Sequence, residues 1–158
     1  MIPRYPDNLR VAVFAGSFDP FTKGHMSILS RGLTLFDRVL IVVGYNSAKP
    51  DSASDARERM DRIRRITAEL PCVDVVEWDG LTVDIARQCG AGFLLRGVRS
   101  VSDFEYEKNM ADINRKIAGI ETVILIAEPD LAMVSSSMVR ELQSHGYDIS
   151  EFLPETTY

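Results

Sequence analysis

Four short segments carry side chains suited to phosphate binding, and each of them comes after an apolar run. They are residues 16–25 (GSFDPFTKGH), Lys49, residues 96–99 (RGVR) and residues 135–137 (SSS). Arginine offers a planar fork of donors that matches phosphate geometry, and the backbone N–H groups at a helix start also bind anions. The four segments therefore predict a site for a small phosphorylated ligand.

His25 is the residue in these segments best suited to catalysis. A single histidine is more often structural than functional, but His25 falls in the first turn of a predicted helix, where the helix dipole favours anions. The preceding loop lacks both the Walker A spacing and the G-x-G-x-x-G pattern. It therefore predicts an anion site of another kind, with Ser17 supplying a hydroxyl at the end of the strand.

Three of the segments also allow a structural interpretation. Lys49, taken alone, is typical of a solvated loop. Arg96 and Arg99 fit phosphate binding and surface pairing equally well, and their acidic neighbours are Asp103, Glu105 and Glu107. One serine is enough to cap a helix, so three serines in a row favour a function only modestly.

Five short apolar runs alternate with helical patterns along the chain. The predicted strands are residues 11–15, 39–43, 73–78, 93–95 and 122–127. The predicted helices are residues 24–36, a segment capped by Ser54 and reaching residue 70, a short segment capped by Thr82, a segment capped by Ser102 or Asp103 and ending at residue 118, and residues 136–146. Continuous apolar strands are buried on both faces, as in a parallel sheet covered by helices.

These elements predict an α/β fold with a doubly wound, five-stranded parallel sheet, in a single domain over residues 1–158. In such folds ligands bind outside the carboxyl ends of the strands. Because the four phosphate-binding segments follow strands, we expect the sheet to bring them together.

Composition excludes several classes of protein. With 18 Lys plus Arg against 23 Asp plus Glu, the formal charge is −5, which disfavours binding to nucleic-acid polymers. No apolar run approaches the roughly 20 residues that a membrane-spanning helix needs, and the first residues contain no apolar signal core. Two cysteines and two histidines give no disulfide framework and no multi-histidine metal site. We therefore expect a soluble cytoplasmic protein.

The spacing from Gly16 to His25 resembles the signature of nucleotidyltransferases that carry a small-x-Gly-His motif. Two further segments narrow the resemblance: residues 96–115, with DFEYE at 103–107, and the triple serine at 135–137. Together these segments resemble the phosphopantetheine adenylyltransferases over almost the whole chain. They separate the sequence from cytidylyltransferases and from nicotinate-nucleotide adenylyltransferases.

The resemblance implies a Rossmann-like nucleotidyltransferase fold and transfer of AMP from ATP to 4′-phosphopantetheine, which gives dephospho-coenzyme A and pyrophosphate. It implies direct in-line attack by the acceptor phosphate, with Mg²⁺ assisting and without a covalent enzyme intermediate. It also implies a homohexamer and feedback inhibition by coenzyme A. Two alternatives are another small-molecule nucleotidyltransferase with a different phosphate acceptor, and a non-catalytic nucleotide-binding protein.

The resemblance also implies a role for each matched residue. His25 would bind ATP and stabilise charge on the α-phosphate in the transition state. Ser17 would orient the attacking phosphate, and the acceptor side would also use Lys49, Thr82 and Arg96. Besides Ser17 and His25, the implied ATP contacts are Phe18, Gly97, Val98, Arg99, Glu107, Leu131, Ala132, Met133, Val134, Ser135, Ser136 and Ser137.

Two positions depart from the family pattern. Serine stands at position 17, where threonine is usual, so the hydroxyl is kept and a methyl contact is lost. Lys49 is followed by Pro50, whereas the family often has two adjacent lysines. Counting forward from His25 favours Lys49 as the match, and counting back from the proline favours Ala48. We take Lys49, because that count needs no gap.

Overall fold

The structure, a computed structural model, describes residues 1–156. Its sheet has five strands, β1 (Val11–Gly16), β2 (Arg38–Gly44), β3 (Val73–Trp78), β4 (Phe93–Val98) and β5 (Glu121–Ile126). All neighbouring pairs are parallel, and the strand order is β3-β2-β1-β4-β5. The predicted α/β fold with a doubly wound parallel sheet is confirmed.

Helices connect the strands and cover the sheet. They are α1 (Lys23–Gly32), α2 (Ser52–Ile66), α3 (Thr82–Cys89), α4 (Val101–Ala118) and α5 (Ser136–Ser144), with 3₁₀ turns at Pro129–Leu131 and Ser150–Phe152. Within residues 1–156, no helix combines the length and the apolar character that crossing a membrane would require.

Successive residues of β1 face opposite sides of the sheet, and each side has its own buried core. Phe14 packs in a cluster with Leu29 of α1 and Ile63 of α2. Val13 packs in a second cluster with Ile85 of α3. Because a fully buried large apolar side chain contributes about 1.5–3 kcal/mol, the two clusters fix β1 between helical layers.

The start of α4 differs from the sequence prediction by two or three residues. Ser100, and not Ser102 or Asp103, caps the helix, because the Ser100 hydroxyl accepts a hydrogen bond from the Asp103 N–H at 3.2 Å. The Asp103 carboxylate instead accepts from the Arg99 N–H at 3.2 Å. Strand β4 also continues to Val98, so the RGV residues lie in the strand and not in a loop.

Several other helix boundaries were predicted wrongly, among them the end of α2, which lies at Ile66 and not at residue 70. Helix α2 begins at Ser52, after Asp51 in a left-handed conformation, and the Ser54 hydroxyl donates back to the Asp51 carbonyl oxygen. Thr82 is the first residue of α3 and not its cap. Helix α1 ends at Gly32, so it stops short of residue 36. These shifts are local and leave the order of elements unchanged.

The topology places one crevice at the centre of the sheet. From β1 the chain winds outward through β2 and β3, returns to β4 on the other side of β1, and winds outward again to β5. The carboxyl ends of β1 and β4 therefore form the topological switch point, where open α/β sheets bind ligands.

Candidate active site

A cavity of about 310 Å³ opens at this switch point. It is lined by the end of β1 and the loop that follows, by the first turn of α1, by the end of β4 and by the start of α5. The predicted site residues that line it are Ser17, Phe18, His25, Arg96, Gly97, Val98, Arg99, Leu131, Val134, Ser135 and Ser136. The sheet has thus brought three of the four phosphate-binding segments together.

A smaller cavity of about 170 Å³ adjoins the first. Arg96 and Ala15 line both cavities, whereas Thr82 and Glu107 line only the smaller one. The remaining lining of the smaller cavity is mostly apolar and comes from β1, β4, α4 and β5. Arg96 therefore lies at the boundary between two spaces, each of which could hold part of a ligand.

Four predicted site residues line neither cavity: Lys49, Ala132, Met133 and Ser137. Lys49 lies in the exposed segment between β2 and α2, and Met133 is 72% exposed. The resemblance implied a continuous wall over residues 131–137, but successive residues in turns and helices point in different directions. Only part of that wall therefore faces the cavity.

Thr22 and His25 form a capping box at the start of α1. The Thr22 N–H donates to Nδ1 of His25 at 2.9 Å, and the His25 N–H donates to Oγ1 of Thr22 at 3.4 Å. Because Nδ1 accepts a hydrogen bond, the ring proton of the neutral imidazole belongs on Nε2. The capping box thus makes His25 a donor through Nε2.

The surroundings of His25 keep its imidazole uncharged at neutral pH. Burial, and secondly the positive charge of Arg96, lower the pKa of His25 from 6.5 to about 4. Aromatic rings surround it, with the centroids of Phe18 and Phe21 at 5.0 and 5.4 Å from the imidazole centroid. His25 therefore offers a neutral N–H donor and not an imidazolium charge.

Arg96 is held by three hydrogen bonds. Its Nε donates to Oε2 of Glu107 at 3.0 Å, its Nη2 donates to Oε1 at 2.7 Å, and its Nη1 donates to the Ala15 carbonyl oxygen. Glu107 is 7% exposed, so this is a nearly buried bidentate pair. A guanidinium has five N–H donors, which leaves two on Arg96 for a phosphate.

The sequence left the partners of the two arginines open, and the structure assigns them. Arg96 pairs with Glu107, and Nε of Arg99 lies 3.6 Å from Oδ2 of Asp103. Pairing and phosphate binding are thus compatible. Glu107 lines the smaller cavity and not the larger one.

Gly97 allows β4 to pass close to α1. A Cβ atom added at Gly97 would lie 2.8 Å from Cγ1 of Ile28, which is shorter than side-chain carbon atoms tolerate. The glycine therefore lets the arginine segment approach the helix that carries His25.

The three serines have three different surroundings. Ser135 caps α5, with its Oγ accepting from the Met138 N–H at 3.1 Å. Ser136 donates from Oγ to the Pro20 carbonyl oxygen at 2.8 Å. Ser137 is exposed. Capping and cavity lining thus coexist in the first two serines.

Sequence reasoning missed several cavity residues. Thr22, Gly24, Ile28, Asp103 and Ala127 also line the larger cavity. The threonine three positions before His25 was a detectable signal, because that spacing is the one used by capping boxes. The apolar residues gave no such signal, since they fit the core equally well.

The donor set does not form a resident metal site. In the described part of the chain, no group of three His, Cys, Asp or Glu side chains is placed to hold a metal ion. The carboxylate that lines the larger cavity, Asp103, already accepts hydrogen bonds from Arg99.

Comparisons with known proteins agree with this geometry. Residues 13–142 match the model of the Cytidylyltransferase-like family. A phosphopantetheine adenylyltransferase of Porphyromonas gingivalis is 51% identical over 145 residues, covering 92% of this chain and 94% of the relative. The chain belongs to the phosphopantetheine adenylyltransferase family. As a member of this family it is a nucleotidyltransferase, and the resemblance stated from the motifs is confirmed.

More distant relatives carry the same family name. The phosphopantetheine adenylyltransferase of Bacteroides thetaiotaomicron is 48% identical over 147 residues, covering 93% of this chain and 97% of the relative. That of Leuconostoc citreum is 40% identical over 148 residues, covering 93% of each chain. The family assignment thus holds over nearly the full length.

Solved structures of lower identity share the fold. A putative nicotinate-nucleotide adenylyltransferase from Vibrio parahaemolyticus gives a TM-score of 0.62 at 18% identity, covering 92% of this chain and 94% of that one. A bifunctional NMN adenylyltransferase/ADP ribose pyrophosphatase from Francisella tularensis gives 0.68 at 14% identity, covering 94% of this chain and 46% of that one. They confirm the nucleotidyltransferase-like Rossmann fold.

Proposed function

We propose that this chain transfers AMP from ATP to 4′-phosphopantetheine and releases dephospho-coenzyme A and pyrophosphate. The observation that carries the proposal is the pair of adjoining cavities that share Arg96. The relatives of 40–51% identity support the same reaction by their names.

ATP occupies the larger cavity in this proposal. The triphosphate lies between the end of β1 and the start of α5, where backbone N–H groups and the hydroxyls of Ser17 and Ser135 are available, while Ser136 lines the wall with its hydroxyl bound to the Pro20 carbonyl oxygen. Gly97, Val98 and Arg99 line the nucleotide side. Among the other implied contacts, Leu131 and Val134 line the cavity, while Ala132, Met133 and Ser137 would reach ATP only at the rim of the cavity. Glu107, which the resemblance also implied as an ATP contact, lines only the smaller cavity and pairs with Arg96.

The acceptor occupies the smaller cavity, with its phosphate at the boundary beside Arg96. The apolar lining suits the pantetheine arm, and Thr82 supplies a hydroxyl there. Lys49 approaches from the exposed segment after β2, whose carboxyl end lies at the same edge of the sheet. This arrangement brings the acceptor phosphate next to the α-phosphate of ATP.

The chemical step needs no group of the enzyme as a nucleophile. An oxygen of the acceptor phosphate forms a bond to the α-phosphorus, and the bond from that phosphorus to the bridging oxygen of pyrophosphate breaks. The electron pair leaves with pyrophosphate. His25 donates a hydrogen bond from Nε2 to an α-phosphate oxygen, which stabilises charge in the transition state without a proton transfer.

Mg²⁺ enters the reaction as part of its substrate, Mg·ATP. The ion neutralises the phosphate charge, and water with phosphate oxygens completes its coordination. The lack of a three-residue metal-binding group in residues 1–156 supports this assignment.

We also propose that the chain assembles as a homohexamer. Helix α4 leaves apolar side chains exposed, among them Tyr106, Ile113 and Ile117, and Ile126 is exposed on the edge strand β5. Exposed edge strands and apolar patches are usually buried against another surface, and here a second copy of the chain would bury them.

The remaining expectations concern regulation and compartment. Coenzyme A contains the pantetheine arm and phosphates of the two substrates, so it is proposed to compete for the two cavities as a feedback ligand. Two free cysteines, Cys72 and Cys89, support a reducing cytoplasmic location. The net charge of −5 disfavours nucleic acid as a partner but is compatible with small anionic substrates, because Arg96 and Arg99 place positive charge at the cavities.

The deciding experiment measures pyrophosphate release from ATP and Mg²⁺ with different acceptors. We expect release with 4′-phosphopantetheine and none with pantetheine, which lacks the attacking phosphate. Release with nicotinate mononucleotide in place of 4′-phosphopantetheine would overturn the acceptor assignment. Binding of ATP without turnover of any acceptor would instead indicate a non-catalytic nucleotide-binding protein.

A further inference from the structure

The loop between β1 and α1, residues 17–22, adopts a strained backbone conformation that contacts with other parts of the chain must stabilise. Phe18 has a φ of 48°, in the left-handed region that bulky side chains rarely occupy. Its ring is 3% exposed and packs with its centroid 5.2 Å from that of Phe14. Such conformations persist only where the surrounding structure over-determines them.

Side chains from two distant helices bind the carbonyl groups of this β1–α1 loop. Nη1 of Arg59, on α2, donates to the Ser17 carbonyl oxygen. Nη1 of Arg140, on α5, donates to the Asp19 carbonyl oxygen, and Ser136 binds the next carbonyl. Across residues 1–156, no backbone N–H donates to a carbonyl of residues 17–21. Side chains therefore supply the support that the loop backbone does not supply itself.

Both arginines contact the loop and not the cavity. Neither Arg59 nor Arg140 lines the larger cavity, whereas Ser17, whose carbonyl oxygen Arg59 binds, does. Nε of Arg59 also donates to the Asp55 carbonyl oxygen at 3.3 Å, which directs the side chain along α2 toward the loop. Arg140 stands one turn after the serines that form the opposite wall.

We propose that Arg59 and Arg140 are positioning residues that hold the β1–α1 loop in its strained conformation, so that Ser17 and the Phe18 N–H face the larger cavity. The proposal rests on the proposed function, because it assigns the loop to substrate phosphates. It also means that α5 and the loop, which are opposite walls of the cavity, are tied together through Arg140.

Paired substitutions separate the donors from the bulk of each side chain. Arg59→Met and Arg140→Met keep an apolar stem and remove the donors, whereas Arg59→Lys and Arg140→Lys keep one donor. Arg62→Met is the matched control, because this substitution removes the same charge from an exposed position on α2. We expect kcat to fall about ten- to a hundredfold in the Met variants, since a misplacement of about 1 Å can cost that much.

The KM for ATP should change less than kcat, because the arginines do not contact the nucleotide. The Lys variants should recover most of kcat, and the control should match the unsubstituted chain. These variants also guard against misfolding, since a Met variant that fails to fold leaves its Lys counterpart to be tested.

Hydrogen–deuterium exchange of residues 17–22, measured without substrates, provides a readout independent of activity. We expect faster exchange in this loop for the Met variants, protection restored by lysine, and no change for Arg62→Met. An unchanged loop, or a faster loop with normal kcat, would overturn the proposal. If a Met variant raised the KM of only one substrate and left the hydrogen–deuterium exchange of the loop unchanged, the arginine would contact that substrate directly. This result would also overturn the proposal.

Failure of the proposed function is distinguishable from failure of this inference. If the unsubstituted chain releases no pyrophosphate, the function fails, whereas loop exchange still shows whether the two arginines hold the loop.

Discussion

Two segments that follow neighbouring strands differ sharply in how they are held. The β1–α1 loop is bound by side chains of α2 and α5, and its Phe18 is buried in the core. The segment 46–51 after β2 is exposed and is held mainly within itself, for example by the Lys49 N–H donating to the Asn46 carbonyl oxygen at 3.0 Å. The sequence predicted that both segments bind phosphate. The comparison teaches that a loop held by distant helices can fix the positions of its groups, whereas a segment held mainly within itself cannot, and we expect the first to affect catalysis more than the second.

Loss of His25 tests the fixed region most directly. His25→Ala should lower kcat about 10²–10³-fold, because it removes a preorganised donor at the developing charge. Steady-state pyrophosphate release measures this, and circular dichroism checks that the fold survives. His145→Ala, at the exposed end of α5, is the control. Near-normal turnover of His25→Ala would exclude His25 from catalysis.

Arg96→Lys probes the boundary between the cavities. Lysine keeps the charge but loses the planar fork that binds Glu107, so we expect the KM for 4′-phosphopantetheine to rise about tenfold. Leaving the Glu107 carboxylate under-satisfied should also cost about 1–3 kcal/mol in the free energy of unfolding. Urea denaturation measures the second effect.

Arg115→Lys is the control for Arg96→Lys, since Arg115 forms a similar pair with Glu121 at the exposed surface. Exposed pairs contribute little, so its unfolding should be nearly unchanged. If both variants lost the same free energy of unfolding, the Arg96–Glu107 pair would stabilise the fold no more than an exposed pair does.

Lys49→Met should have a smaller effect, because Lys49 lies outside both cavities. We expect the KM for the acceptor to rise a few-fold, with kcat and the melting temperature unchanged, since one exposed charge contributes on the order of 1 kcal/mol or less. Lys116→Met, on exposed α4 surface, should change neither constant. A large loss of kcat in Lys49→Met would mean that the exposed segment closes over the site during the reaction.

A last effect concerns the stability of the fixed region as pH falls. The pKa of His25 is lowered to about 4 in the folded chain from 6.5, so the unfolded chain binds the additional proton between these values. The free energy of unfolding should therefore fall as pH drops through this window, by up to about 1.4 kcal/mol per pH unit. Denaturation of the native chain and of His25→Gln at several pH values measures it. If the free energy of unfolding changed equally with pH in both chains, the imidazole of His25 would not have the lowered pKa that burial gives it.

Much of the site could be predicted because its residues belong to short contiguous motifs. The β1–α1 loop with His25, the arginine segment and the first two serines were identified from spacing, and the structure places them around one cavity. Lys49 also follows the end of a strand, yet it lies outside both cavities. Nothing local to Lys49 distinguishes a lysine that reaches a site from one that is solvated.

The residues that hold the site were not predictable in the same way. Arg59 and Arg140 lie 42 and 121 residues from the carbonyl groups that they bind. Each sits on the polar face of an amphipathic helix, where arginine needs no explanation. Helix caps were also misplaced by a few residues, because several neighbouring polar side chains could serve and only their backbone conformation selects one.

The sequence by itself determined the strand–helix order, the parallel sheet and three of the segments that line the larger cavity, because these depend on apolar runs and on local spacing. Only the tertiary structure decided which acidic residue pairs with each arginine, which nitrogen of His25 carries the proton, and which side chains hold the β1–α1 loop. Those choices depend on contacts between elements distant in the chain, and the packing of helices against a sheet sets such contacts.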